Sequence, residues 1–476
     1  MRILLRGGLL FDGTHEPHAG NLLMEDDRIL SVSAPADTAA DEVFDAAGKL
    51  VSPGFIDIHR HPDFAVLAPD FGAFELAQGI TTIVGGNCGL AAAPMTATHA
   101  ESAKAFLEPC LGPADQRVFT SLAEYDAALA LARPRLHMGM LAAVGAIKIA
   151  VKGFARTPFS AEELRRAQGL LTDALNEGAL GLSLGVMYPP ECYTSREEYV
   201  QLLRAAAPYG RPMCCHIRGE GASLVASVRE VLDLSEAAGL PLHISHFKST
   251  GIANWHDGIF RAIELIEAAR AAGRDVTVDF YPYTAGASTL LSLVPPEVLE
   301  DDQALLWRKL STSAGHEALR QALYRENAAW DNMVRDIGWE RIVLAGAPGM
   351  ESFSGLDFAA IALRMGVNDP ADAMCELLIH TQGRAGVVLQ SMCEEDVAEV
   401  ARLPYSLVIS DALYGGGAAH PRQRGAFPRF LREFVPKPLS MGEALRKMTL
   451  LPAQRLGLTD RGRLCAGARA DVIAFD

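Results

Sequence analysis

The chain has 476 residues, 49% of them hydrophobic and 21% charged, with a formal net charge of −15. That composition can build a large core and excludes a disordered chain. The acidic balance excludes a nucleic-acid surface and attraction to anionic membranes, and an anionic substrate would need a local Arg or Lys cluster. The segment after Met1 has no signal-peptide layout. The longest apolar stretch, Leu136 to Val151, is broken by His137 and Lys148 and is too short to span a bilayer. The eight cysteines form no CxxC pair, so no disulfide framework is expected and a reducing, cytoplasmic setting is.

Residues 1–52 alternate short β-like runs with turns: Ile3-Leu4-Leu5, the turn at Phe11-Asp12-Gly13-Thr14, then Asn21 to Met24 and Arg28 to Val32. Residues 456–476 have the same character, and the two ends are predicted to form one small β domain. Residues 53–455 change rhythm to strand-like apolar runs alternating with amphipathic helices, the βαβ signature. The predicted strands are 54–58, 81–84, 136–143, 179–184, 212–217, 240–245, 275–281, 341–344 and 405–410. Ser160 with Glu163 makes a capping-box pattern, and Gly178, Gly239 and Gly273 close helices. Nine runs are one too many for an eight-stranded barrel. The run 341–344 is therefore assigned to, or beside, a helical lid insertion at about 288–340 that carries Trp307 and Trp330. The repeat favours an α/β fold, a (β/α)8 TIM-type barrel with the small β domain attached, over an open doubly wound sheet.

In such a barrel chemistry belongs at the C-terminal ends of the strands. The first run ends in His59-Arg60-His61, two histidines spaced i, i+2 and so on one face of a strand. The second leads into Gly86-Asn87-Cys88-Gly89. Two later strands present His216 and His246, and the last ends in Asp411. Any of these alone has an ordinary structural reading: a polar strand end, a buried thiol, a helix cap. Together they put five metal-competent side chains and a carboxylate at matching ends of separate strands. Imidazole and thiolate suit Zn²⁺ over Mg²⁺ or Ca²⁺, and Cys88 could bind one ion or bridge two. Zinc activates water and polarises a carbonyl, and Asp411 is the candidate general base and acid for hydrolysis. His243, three residues before His246, faces the other way and is assigned a structural role. Lys148 and Lys152 read as surface or strand-edge charge.

These motifs resemble the amidohydrolase superfamily and, within it, the N-acyl-D-amino-acid deacylases, over nearly the whole chain. The likeness is carried by Ser52-Pro53-Gly54-Phe55-Ile56-Asp57 before the His pair, Gly79 to Val84 with Gly86-Asn87-Cys88-Gly89, His216-Ile217-Arg218, and Ile244-Ser245-His246-Phe247-Lys248. Asp279-Phe280-Tyr281-Pro282-Tyr283, His420-Pro421-Arg422 and Pro452 to Leu458 extend it. The resemblance implies a tight zinc on Cys88, His216 and His246, and a second, weaker one on His59 and His61 sharing Cys88. It implies that Lys248, Tyr281 or Tyr283, and Arg422 grip the α-carboxylate of a small anionic N-acyl-D-amino acid, which is cleaved to a carboxylate and a free D-amino acid. Arg offers a carboxylate two parallel donors, in keeping with the charge argument. A cyclic-amide hydrolase of the hydantoinase or dihydroorotase type is the alternative, disfavoured because a thiolate replaces the carboxylated lysine. A non-catalytic scaffold is a distant third, since all ligands are retained. The chain departs from the family pattern at Arg60 and Pro62, at Ala412 where glycine is usual, and in the segment 414–419. These positions are expected on the pocket.

Overall fold

The structure is a computed structural model that describes residues 1–327, 330–415 and 420–476. Strands β1 (Arg2–Leu10), β2 (His18–Glu25), β3 (Arg28–Ser31), β4 (Glu42–Asp45) and β5 (Leu50–Pro53) share one sheet with β18 (Val472–Phe475). β18 runs antiparallel to β5, with Val472 opposite Pro53 and Phe475 opposite Leu50. Leu10, Leu22 and Val51 from one end of the chain pack with Leu464 from the other.

From β6 onward the main strands are parallel. β6 (Phe55–Asp57), β7 (Ile80–Gly85) and β8 (His137–Met140) pair in that order. β9 (Ala142–Ala143), β10 (Leu182–Gly185), β11 (Met213–His216), β12 (Leu242–Ile244), β13 (Val276–Phe280) and β17 (Ser406–Val408) form a second parallel run. β8 and β9 are the two halves of the single strand predicted at 136–143. A bridge between Arg60 and Ala412 ties the continuation of β6 to that of β17: His61 N donates to Ala412 O at 3.0 Å and Asp411 N to His59 O at 2.9 Å. β10, β11 and β12 are buried on both faces, which is why they read as unbroken apolar runs rather than alternating ones.

Helices connect these strands. Ser160 caps the helix Ala161–Asn176, its Oγ accepting from Glu163 N at 3.2 Å while Glu163 Oε2 accepts from Ser160 N at 2.7 Å. Such a cap contributes about 1 kcal/mol. Lys148 is not a surface charge. It lies in the helix Val144–Lys152, which is buried on nearly every side, and its Nζ donates to Thr194 Oγ1 at 2.6 Å.

The insertion after β13 is longer and less helical than the 288–340 lid the sequence suggests. It holds β14 (Gly286–Thr289), β15 (Ile342–Gly346) and β16 (Gly386–Leu389), antiparallel in the order β14-β16-β15. Helices Gln303–Leu310, Ser313–Tyr324, Phe358–Met365 and Pro370–Thr381 accompany the sheet, around a core that includes Leu323, Ile342, Phe358 and Leu378. The ninth predicted strand, 341–344, is β15. It is buried at alternate residues, as befits an antiparallel strand with one covered face. Among the described residues no helix is long and apolar enough to cross a membrane.

Candidate metal and active site

The ends of β6, β7, β11 and β12 and the segment after β17 converge on one pocket. His61, Cys88, His216, His246, Asp411 and Arg422 all line it. Cys88 reaches it from a tight turn. Gly86 has φ +73° and a Cβ there would lie 2.4 Å from Leu141 O, so only glycine fits. Asn87 Nδ2 fixes the turn by donating to Val84 O at 3.0 Å and Ile58 O at 3.1 Å. The Cys88 Sγ then sits 3.2 Å from His59 Nε2 and 3.5 Å from His246 Nε2.

Behind the histidines lies Asp279, at the end of β13. Its Oδ2 is 3.2 Å from His59 Nδ1 and 2.8 Å from His243 Nε2, and its Oδ1 accepts from His246 N. His243 also contacts Thr277 Oγ1 at 2.7 Å, so it braces Asp279 and stays out of the pocket. Burial would push the Asp279 carboxyl up, but His59 and His243 hold it well below the usual carboxylate range. A carboxylate on the far nitrogen fixes the orientation and tautomer of a metal-binding imidazole.

Asp411 faces the same space. Its Oδ1 is 3.3 Å from His61 Nε2 and 3.7 Å from His59 Nε2, and its Oδ2 is 2.8 Å from Arg422 Nη1. Burial opposes its charge, but Arg422 and His61 overcome burial and hold the carboxyl well below its ordinary value. Arg422 is buried, packs over the Tyr281 ring at 4.6 Å and donates to Ala287 O at 3.3 Å. Among the described residues its Nε has no hydrogen-bond partner. Lys248 Nζ donates to Glu220 Oε1 at 2.6 Å and lies 5.8 Å from the Tyr281 ring centre.

Cys88, His216 and His246 all line the pocket, and their ligand atoms fall into two overlapping groups that share His246. Among the described residues the groups whose ligand atoms all lie within 4.8 Å of one another are His59–Cys88–His246, His59–His61–Asp411 and His216–Glu220–His246 in the pocket, and His256–Cys393–Asp396, which does not line it. His216 Nε2 sits 3.2 Å from Met187 Sδ. Tyr283 does not line the pocket; it packs against His420 and Arg429. β13 ends at Phe280 and Tyr283 N bonds Tyr281 O in a tight turn, which carries Tyr283 away from Tyr281. Arg60 is also off the pocket. It points to the opposite face, is fully buried, and pairs with Glu75 at 2.8 Å and Asp57 at 3.2 Å while donating to Tyr414 Oη at 3.0 Å. Positions 416–419 lie outside the described residues.

Asp279 and Glu220 were given no role by the sequence argument. Asp279 could have been found by reading the end of β13 for a carboxylate. Glu220 lies in a loop four residues past His216, shaped by Asp331 through bonds to Gly221 N at 2.7 Å and Ser223 N at 3.0 Å, and no periodicity signals it.

The residues fit a divalent zinc-like cation. His61 Nδ1 and His216 Nδ1 are buried with no hydrogen-bond partner among the described residues. Burial lowers the His61 pKa to about 4 and pushes that of His216 well below its ordinary value, which favours the neutral ring, the form that binds metal. Burial pushes the Cys88 thiol up, so a thiolate there calls for a cation beside it.

Comparison with known proteins shows the family. The profile described as Amidohydrolase family matches residues 42–476. The chain is 32% identical to N-acyl-D-glutamate deacylase of Alcaligenes xylosoxydans xylosoxydans, over 100% of this chain and 87% of that one. It is 30% identical to D-aminoacylase of the same organism, over 100% of this chain and 88% of that one. The crystal structure of N-acyl-D-glutamate deacylase from Bordetella bronchiseptica, complexed with zinc and a phosphonate inhibitor that mimics the tetrahedral intermediate, superposes with a TM-score of 0.83. That match is at 30% identity and covers 100% of this chain and 90% of that chain.

Proposed function

This chain belongs to the amidohydrolase family, and we propose that it is a zinc-dependent hydrolase cleaving the amide bond of N-acyl-D-amino acids to a carboxylate and a free D-amino acid. We further read its two parallel runs as one closed (β/α)8 barrel, joined at Arg60 and Ala412, with the terminal strands as a small β domain. Its cysteines are all free, which supports work in a reducing cytoplasm.

The observation that carries the reading is the meeting, in one pocket, of Cys88 and the histidines with Asp411 and with the cations Arg422 and Lys248. Cys88, His216 and His246 would hold one zinc. His59 and His61 would hold a second, weaker one, with Cys88 placed between His59 and His246 as the shared ligand. Zinc in this place supplies Lewis acidity for an amide carbonyl and for water. Arg422, Lys248 and Tyr281 bind the substrate's α-carboxylate and orient the amide. Asp411 takes the proton of the attacking water and returns it to the leaving nitrogen. Arg422 has two anions to serve, Asp411 and the α-carboxylate. A bound substrate draws it toward the second and frees Asp411 to act as a base.

The D configuration rests on the likeness to the two Alcaligenes enzymes. Release of free amine from paired N-acyl-D- and N-acyl-L-amino acids tests it. Turnover of the D series supports the reading, and turnover of the L series alone, or of neither, rejects it.

A further inference from the structure

A second chamber opens from the pocket. It shares Leu90, Cys110, Met187, Tyr188, Ser288, Ser292 and Trp330 with the pocket. Its remaining walls come from the helix Ala100–Leu111, through Ala105 and Phe106, and from the insertion, through Leu291, Val294 and Leu299. Among the described residues no Asp, Glu, Lys, Arg or His lines it; its few polar groups are uncharged.

The chamber meets the pocket beside His216. Met187 Sδ is 3.2 Å from His216 Nε2, and the Tyr188 and His216 ring centres are 4.7 Å apart. The carboxylate clamp is formed by other residues, Arg422 and Lys248 around Tyr281. In an N-acyl amino acid the carboxylate and the side chain branch from one carbon on the nitrogen side of the amide, and the acyl chain leaves from the carbonyl side. With the carboxylate at the clamp and the amide at the histidines, the acyl chain is the part that extends toward Met187 and Tyr188.

On the footing of the hydrolase reading above, we propose that the preferred substrates carry a long apolar acyl chain, a fatty acyl group, which lies in this chamber. The relation is hydrophobic and scales with length: each methylene buried contributes about 0.8 kcal/mol, roughly a fourfold gain per carbon while the chamber fills.

The test is kcat/KM on acetyl, octanoyl and dodecanoyl derivatives of one D-amino acid, with the full-length zinc-loaded protein. Octanoyl is expected to exceed acetyl by at least about tenfold, a fraction of the full burial gain. Ala105→Trp, a substitution at an exposed position of the chamber wall, is expected to lower the octanoyl-to-acetyl ratio. Hydrolysis of the acetyl substrate with a flat or falling series overturns the acyl-chain assignment alone. Absence of turnover across the whole series overturns the hydrolase reading and this assignment with it.

Discussion

Arg422 Nη1 lies 2.8 Å from Asp411 Oδ2, so the cation proposed to bind the substrate is also the counter-ion of the proposed general base. Losing it removes a charge-assisted contact worth about 2–3 kcal/mol to the α-carboxylate. Arg422→Met is expected to lower kcat/KM by roughly a hundredfold. The loss should fall mainly on KM, since the clamp is binding machinery and Asp411 is left without its competitor. Steady-state kinetics on an N-acyl-D-amino acid and on the matching N-acyl amine, which lacks the carboxylate, checks this. The amine should be a poor substrate for the parent and insensitive to the substitution.

Among the described residues the pocket leaves no spare cation for a second carboxylate. Besides Lys248 and Arg422 it is lined by Arg218, which pairs with Glu230 at 2.8 Å and donates to Cys192 O at 3.2 Å. N-acyl-D-glutamate and N-acyl-D-aspartate are therefore expected to be at least about tenfold poorer than N-acyl-D-methionine, the cost of one unpaired, partly desolvated charge. A competition assay with equimolar mixtures measures the ratio directly.

Arg60 holds the histidine-bearing segment to the loop beyond Asp411. It is fully buried between Glu75, Asp57 and Tyr414, and Tyr414 Oη also donates to Glu75 Oε1 at 2.5 Å. Removing one partner of a buried pair costs about 3–5 kcal/mol because the other charge is stranded. Arg60→Met should show that loss in a denaturant titration. Glu75→Gln added to it should restore part of the stability, since it removes a stranded charge.

Two buried acids flank the turn that presents Cys88. Asp63 Oδ1 accepts from Gly86 N at 3.0 Å, and Glu191 Oε1 accepts from Gly185 N at 2.9 Å and abuts Gly89. Burial pushes both carboxyls up to about 7. Between the unfolded values near 4 and this folded value, the native state binds protons that the unfolded chain releases. Stability therefore falls as pH rises through that window and stays lower above it, by on the order of 3 kcal/mol for Glu191 alone. Glu191→Gln should flatten the plot of Tm against pH from about 5 to 8. An unchanged slope would mean that Glu191 is ionised in the fold.

Much of the site was legible because it obeys strand geometry. His59 and His61 share a face by alternation, and the same rule turns Arg60 away from them, a consequence the motif reading had left undrawn. Cys88 stood out because glycines flank it. The resemblance left Tyr281 and Tyr283 as alternatives, and only the fold separates them, because the chain turns just past the end of β13 and carries Tyr283 off the pocket. Glu220 could not be read at all: its loop is shaped by Asp331, more than a hundred residues away. The insertion was cut short for a related reason. Its antiparallel sheet pairs β14 with β16 across the helices between them, and no local pattern announces a partner at that separation.

The central claim is that zinc held by the Cys88 and histidine cluster drives hydrolysis of N-acyl-D-amino acids. Titrating zinc into chelator-stripped protein, and measuring bound metal alongside release of D-methionine from N-acyl-D-methionine, tests it most directly. The account predicts activity that rises with the first equivalent of zinc bound and is lost in Cys88→Ala. Full activity in the metal-free protein, or zinc bound in stoichiometric amount with no D-methionine released, would contradict it.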